Sequence, residues 1–419
     1  MILTQSFRAR RPSKILEELN RESGRVYTLT MIEHWRVRRK KDIWLSKYAA
    51  QRVNDALSGS TILHAHSRDA AQDGFYKACK TVKALKRAGV DSKYPHRRKT
   101  FRSTVWKKQG IRVKDGKLLL AKSRGLEPVV VSLPERFPGC DFLEVKLVFN
   151  RGSKRYDWHV TYDDGQVIPK ASGDAVIAVD LGEIHPAAVT DGTDAVVFSA
   201  RELRSTIQGR NKMLSVISER QATLKKGSRY WRRLQRVKAA RLNKSKDKQR
   251  DICHKVSRAV VDFAQEKKAG TIVIGDVRDV SNGVSLGKNS NQKISQWPHG
   301  IIRKYIEYKA SGKGINTELQ NEAYSSQDCP KCGNRKKPQG RIYTCGKCGW
   351  IGSRDGQVGS ANILSLHQYG KTSRVLVSET MYRHPYLVIR DKGKRSHEGT
   401  VQVACGLQEL QEAVGFNHE

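Results

Sequence analysis

Residues 174–199 read DAVIAVDLGEIHPAAVTDGTDAVVFS, and the fold turns on how this stretch is read. Ala175 to Val179 form a short apolar run that suits a strand covered on both faces. The run ends on Asp180, and Leu181-Gly182 follow as a turn whose glycine lets another backbone or a phosphate come close. Two further strand-like runs come next, parted by an Asp-Gly turn. A carboxylate at the end of a buried strand is costly unless something pairs with it, and a divalent cation is the usual partner. An ordinary strand-end Asp that caps a turn is the other reading.

Downstream, residues 201–268 take a helical pattern with expected breaks at KKGS (225–228) and LNKSKDK (242–248). This reads as a long helical hairpin. Its middle is rich in cations and nearly free of acids, with Arg229, Arg232, Arg233 and Arg236 as candidates for phosphate contacts. TIVIGDV (271–277) is the next buried strand, IIRKYIEYKASGKG (301–314) a helix, INTELQNEAY (315–324) another strand, and VGSANILSLHQYG (358–370) a last helix. The order βββ-α-β-α-β-α is that of a ribonuclease H-like fold.

The first 170 residues read as a β-module that carries a helical insertion at 31–88. Between them and the second half, VIPKASGD marks a change of composition. Segment 92–120, SKYPHRRKTFRSTVWKKQGIRVKDGKLLL, alternates aromatics with cations and holds a Lys-Asp-Gly-Lys turn between two strand-like runs. Aromatics stack bases while cations hold phosphates, which makes Tyr94, Arg97, Arg98, Lys99, Arg102, Trp106, Lys107 and Lys108 candidates for nucleic-acid contacts. A solvated β-surface with core aromatics is the competing reading.

The chain of 419 residues carries a formal charge of +38, from 79 Lys+Arg against 41 Asp+Glu. An excess of this size points to a polyanionic partner, nucleic acid before membrane, since the sequence has neither an amphipathic anchor nor a long apolar run. No charged-then-apolar leader opens it, so the expected location is the cytoplasm. Of the eight cysteines, Cys79, Cys140, Cys253 and Cys405 are scattered and read as buried or incidental thiols. The other four form Cys329-x2-Cys332-x12-Cys345-x2-Cys348, with Gly333 and Gly349 following each knuckle. Four thiolates so spaced suit one tetrahedral Zn²⁺. With every position filled by sulfur, such an ion builds a lobe and performs no hydrolysis.

AVDLGEIHPAAVTDG, TIVIGDV, EAYSSQDCPKCG, GRIYTCGKCGW and RDGQVGSANIL, in this order, resemble the RuvC-type nuclease of transposon-encoded TnpB proteins and of the small type V CRISPR effectors derived from them. SKYPHRRKTFRSTVWKKQGI resembles their N-terminal half, so the likeness runs over about residues 90 to 370. It implies an α+β multidomain protein. A wedge-like β-barrel would span 1–30 and 89–170, a helical recognition insertion 31–88, and a RuvC nuclease domain 171–324 and 353–370. A zinc ribbon at 325–352 and a polar tail at 371–419, which orders on a partner, would complete it. The implied activity is RNA-guided, Mg²⁺-dependent hydrolysis of double-stranded target DNA beside a short flanking motif, in a prokaryotic cytoplasm near the nucleoid. Asp180 would bridge two ions and Asp355, just past the ribbon, would bind one. As a helix N-cap is a competing role for Asp355, its chemistry rests on the resemblance.

Two positions depart from that family's pattern. Its second acid is a Glu where this chain has Gly275, and Asp276 beside it would point to the opposite face of the sheet. Glu322, at the end of the neighbouring strand about 4.8 Å away, is long enough to reach across. Glu322 and Asp276 are thus both candidates for the second catalytic acid. Asp355 also precedes Asn362 by seven positions where six is usual, an extra residue that a bulge or loop at Gly356 would absorb. Glu183 and His185 are expected on a surface loop. These departures keep open an RNA-guided DNA-binding protein that represses or recruits without cutting, and an RNA-binding accessory of a transposon.

Overall fold

The computed structural model of the chain describes residues 1–9, 14–57 (53–57 without side chains), 61–135, 137, 140–150, 152–171, 173–278 and 285–385. Cys405 and most of the expected tail lie outside the described residues. The chain divides into two compact units, Met1–Val167 and Ile168–Glu419.

The first unit comprises β1 (Ile2–Arg8), α1 (Lys14–Lys41), α2 (Lys47–Leu57), α3 (Ala65–Arg87), β2 (Thr104–Lys107), β3 (Ile111–Lys114), β4 (Lys117–Leu120), β5 (Val129–Ser132), β6 (Asp141–Asn150) and β7 (Arg155–Asp163). The described strands form two antiparallel sheets, β1-β7-β6-β2 and β3-β4-β5, whose side chains share one core. Asp115 and Gly116 join β3 to β4 with φ of 50° and 66°, the left-handed pair that a two-residue hairpin turn requires.

The helical part begins at Lys14, well before the expected residue 31. Leu16, Leu19, Val26, Tyr27 and Met31 line the buried face of α1, but Asn20, Ser23 and Thr30 share that face and interrupt its apolar pattern. Most of their polar atoms are paired, and Thr30 Oγ1 donates to the Val26 carbonyl at 2.9 Å. Asn20 Oδ1 accepts from the Thr104 amide (3.0 Å) and hydroxyl (2.8 Å), and Ser23 bonds Thr104 at 3.0 Å.

Several of the expected nucleic-acid contacts in this unit are framework instead. Trp106 is 1% exposed and its indole N–H donates to the Ala121 carbonyl at 2.7 Å, so no base can stack on it. Arg102 lies 4.6 Å over the Tyr27 ring, in the space left by the missing side chain of Gly74, and is not free to meet a phosphate. Tyr94 is half-buried against Trp35 and Trp44. Lys107 pairs with Asp73 at 3.6 Å and Lys108 with Asp141 at 2.6 Å, while Arg97, Arg98 and Lys99 are exposed.

The second unit holds β8 (Ala175–Asp180), β9 (Ala187–Thr190), β10 (Asp194–Phe198), α4 (Arg201–Ala222), α5 (Arg229–Glu266), β11 (Ala269–Gly275), α6 (Lys288–Gln296), α7 (His299–Ser311) and β12 (Asn316–Gln320). After them come β13 (Ile342–Thr344), β14 (Ile351–Ser353), a wide π-type turn (Arg354–Ser360), α8 (Ala361–Tyr369) and β15 (Glu379–Arg383). One six-stranded sheet has the order β12-β11-β8-β9-β10-β15. β8, β11 and β12 run parallel, and β9 is antiparallel to both of its neighbours. Alternation along β8 sends Ile177 and Val179 to a core shared with Val256 and Val260 of α5 and Ile302 and Ile306 of α7. Ala178 faces the other way, toward Ala361, Ile363 and Leu364 of α8.

Two expectations change here. α5 runs unbroken through 242–248, because that stretch has no Gly or Pro and its polar side chains bond along the helix, as Gln249 does to Ser245 at 2.9 Å. Part of the expected tail is a strand: β15 pairs in parallel with β10. It was hard to see because only one short run, Glu379–Arg383, carries it.

Trp106→Ala is expected to lower the stability of the first unit by about 3–5 kcal/mol in urea unfolding, the scale of a core aromatic truncation. Arg97→Ala should leave stability within about 0.5 kcal/mol.

Candidate active site

β8 and β11 end side by side, with Ile274 paired to Val179, so Gly275 lies next to Asp180. β12 pairs Gln320 with Gly275, and Glu322 follows just beyond the strand end. Its carboxylate turns back over β11: a β-carbon at Gly275 would overlap Glu322 Oε2. The volume that a side chain at 275 would fill therefore holds the Glu322 carboxylate. Asp180 meets a similar accommodation, since a β-carbon at Gly359 would overlap its Oδ2. Asp355 enters from the π-type turn on the same side as Gly359 and is buried.

Burial, then the Glu322 and Asp355 charges, push the Asp180 carboxyl well up, while Arg354 and Arg341 oppose the rise. Asp180 keeps an opening to solvent although protein surrounds its carboxylate. Burial, then the Asp276 charge, raise Glu322 to about 7, and Glu322 Oε2 has no hydrogen-bond partner among the described residues. Asp355 is bound by Arg341, whose Nη1 donates to both oxygens at 2.9 and 3.1 Å, and by Arg354 at 3.3 Å.

Asp276 goes elsewhere. Its carboxylate accepts from Arg278 Nε at 2.9 and 3.0 Å, and this pairing lowers its pKa. His185, expected on a surface loop, is only 6% exposed, with its ring 5.8 Å from that of Tyr382 in β15. Gly182 brings the chain round tightly enough for this, since a β-carbon there would overlap the His185 carbonyl oxygen. Burial lowers the pKa of His185 and the nearby Asp355 raises it. Glu183 pairs with Arg204 at 3.2 Å. Arg341 and Arg354 were missed as neighbours of the site, and His185, near Asp180 in sequence, is buried where a surface loop was expected. The Gly after Asp180 and the Arg just before the second cysteine pair were the signals available.

The cysteine lobe is closed and compact. The ligand atoms of Cys329, Cys332, Cys345 and Cys348 all lie within 4.8 Å of one another. Two of the sulfur pairs stand at 3.7 and 3.5 Å, against about 3.8 Å for the edge of a zinc–thiolate tetrahedron. Gly333 and Gly349 have φ of 72° and 69°, and their amides donate back to Cys329 and Cys345 at 2.9 and 3.2 Å. The Cys348 and Lys347 amides help to lower the Cys345 thiol to about 6. The cluster is compatible with structural zinc.

An α+β unit whose acidic groups converge from three chain segments beside a four-cysteine lobe defines the class of protein. Comparison with known proteins makes it more specific. Residues 159–281 match a family model described as a probable transposase (OrfB_IS605), and residues 299–363 match the Cas12f1-like TNB domain. A TnpB-like protein of Methanocaldococcus jannaschii is 29% identical over 114 residues, which cover 27% of this chain and 41% of that protein. The CRISPR-associated endodeoxyribonuclease Cas12f1 of Sulfoacidibacillus thermotolerans is 30% identical over 105 residues, 24% of each chain. The match thus spans less than half the length of these curated relatives. A Cas12f1 in complex with guide RNA and target DNA shares the fold, with a TM-score of 0.58 at 14% identity over 84% of this chain and 82% of that one. The resemblance to TnpB-like proteins and small type V effectors therefore stands. Among the described residues no helix is long and apolar enough to cross a membrane.

Glu322 yields a pH prediction. Its pKa rises from 4.5 to about 7 on folding, so between these values the folded chain holds a proton that the unfolded chain has released. Stability from this group is present below pH 4.5 and is lost as pH rises toward 7. Glu322→Gln should remove that slope and raise the thermal midpoint at pH 8, without divalent metal, by about 2–6 °C. Elemental analysis should find one zinc per chain, and Cys348→Ser should release it and unfold the lobe.

Proposed function

We propose that this chain is an RNA-guided, magnesium-dependent DNA endonuclease of the RuvC type. The observation that carries the reading is the Glu322 carboxylate standing in the place of a side chain at Gly275, beside Asp180. Crowded, partly buried carboxylates are unfavourable alone and suit a divalent cation, and the unpartnered Glu322 Oε2 fits that role. Asp180, Glu322 and Asp355 would hold Mg²⁺, which when bound supplies a Lewis acid that activates water and neutralises the leaving oxygen. Asp180 would hold the metal from the end of the central strand. Glu322 would reach it from beyond β12 and Asp355 from the turn of residues 354–360, where Arg341 and Arg354 pair with Asp355. Asp276, committed to Arg278, is a structural residue in this scheme.

The strand order supports a ribonuclease H-like domain in 171–324 and 353–370, with the zinc ribbon of 325–352 inserted in it. The region 1–170 would hold guide RNA and read the flanking motif. α5 supplies backbone contacts. Arg229, Arg232, Arg233 and Arg236 are all exposed, and the sequence from 229 to 246 contains no acid. Base pairing would choose the target, as the relatives named as CRISPR-associated nucleases and the overall charge of +38 suggest. One observation favours the second reading, a guided binder that does not cut: both oxygens of Asp355 are taken by Arg341.

The test is plasmid cleavage in Mg²⁺ by protein purified with its RNA, whose sequence defines the target. Asp180→Ala and Glu322→Ala should each lower the cleavage rate on the order of 10²–10³-fold, and Asp276→Ala should stay within a few-fold of wild type. Full activity in Glu322→Ala would reject its catalytic role. Target binding by the wild type without any cleavage would select the second reading.

A further inference from the structure

Glu322 opens a tight turn. The Ser325 amide donates to the Glu322 carbonyl at 3.0 Å, and Tyr324, at the third position, has φ of 64°. That position in a turn of this kind belongs to glycine, because a β-carbon is strained there. Tyr324 is also 51% exposed, so burial of its ring does little to offset the strain. A residue held against its own backbone preference beside a candidate site calls for a role of its side chain.

The ring is held in place. The Arg335 guanidinium carbon lies 3.7 Å from the centroid of Tyr324, a close stack of cation on ring. Arg335 is fixed in turn by Asp328, with Nε to Oδ1 at 2.7 Å and Nη2 to Oδ2 at 3.1 Å. Asp328 is buried, accepts also from the Thr372 hydroxyl at 2.9 Å, and immediately precedes Cys329. The cysteine lobe thus clamps an exposed aromatic ring next to Glu322. Lys331 and Lys337 are exposed on the same lobe.

We propose that Tyr324, backed by Arg335, is a positioning residue on which one unpaired base of the DNA strand stacks as it passes Glu322. An aromatic face with cations around it is the chemistry that takes a base and its phosphates without regard to sequence. The proposal rests on the nuclease reading for the identity of the strand, and its test does not need cleavage.

The probe is a single-stranded oligodeoxynucleotide carrying 2-aminopurine, with an abasic strand of equal length as control. Binding is followed with the full zinc-loaded protein in buffer free of magnesium and chelator. Tyr324→Gly relieves the left-handed strain, so it should melt at or above the wild-type temperature. It should nevertheless bind the base-bearing strand about tenfold more weakly and lose the quenching of 2-aminopurine. Tyr324→Phe should retain both, and Arg335→Ala should weaken binding by a smaller factor. Wild type should bind the abasic strand about as weakly as Tyr324→Gly does. Equal affinity of Tyr324→Gly and wild type for the base-bearing strand, or no preference of wild type for that strand over the abasic one, would overturn the proposal. If the wild type fails to cut DNA, the nuclease reading falls while these binding results stand.

Discussion

The second unit is organised around like charges that must share a poorly solvated place. Asp180 sits at the end of a central strand because the sheet puts it there, and Glu322 and Asp355 are close enough to raise its pKa. Water alone would favour spreading them apart. The chain makes room for them by omission: Gly275 gives its side-chain volume to Glu322, and Gly359 gives its own to Asp180. It compensates by addition, bringing Arg341 and Arg354 onto Asp355. Each of these choices concerns a residue that matters only because of the carboxylate beside it.

The cysteine lobe belongs to the same arrangement. Buried Asn362 donates through Nδ2 to the Ser325 and Asp328 carbonyls, both at 2.8 Å, and its Oδ1 accepts from the Ser373 amide at 3.0 Å. One side chain on α8 therefore fastens the turn after Glu322 and the start of the first knuckle to the sheet. Arg341 extends this connection to Asp355 from the other end of the lobe. A zinc-type lobe next to an acidic site is thus more than a neighbour in sequence: it fixes the turn on one flank and neutralises the carboxylate on the other.

What the sequence made legible was set by local pattern. Apolar runs ending in Asp180 and Gly275, the cysteine spacing, and the Asp-Gly hairpin each depend on a few adjacent residues, and the structure has them as strands, a four-sulfur cluster and a left-handed turn. The start of α1 was hidden because Asn20 and Ser23 lie on its buried face and bond to Thr104, far along the chain. Trp106 and Arg102 looked like nucleic-acid contacts because alternating aromatics and cations fit a binding surface as well as a strand with one buried face. Their burial depends on Ala121, Tyr27 and Gly74, which no local pattern connects to them. His185 was likewise misplaced because β15, which covers it with Tyr382, is a single short run in a polar region.

The two departures in the acidic motifs turn out to meet at one point. An extra residue between Asp355 and Asn362 is accommodated by the wide turn of residues 354–360, as a π-type turn takes up an insertion without breaking the helix that follows. That helix carries Ile363, whose Cδ1 lies 3.0 Å from where a β-carbon at Gly275 would be. The vacant position at 275 is therefore enclosed by Glu322 on one side and by α8 on the other. A side chain at 275 would crowd both, so Glu322 and Ile363 would have to shift to admit it. Gly275, Glu322 and the wide turn thus form one packing arrangement, in which the carboxylate supplied from beyond β12 fits against the helix that follows the turn.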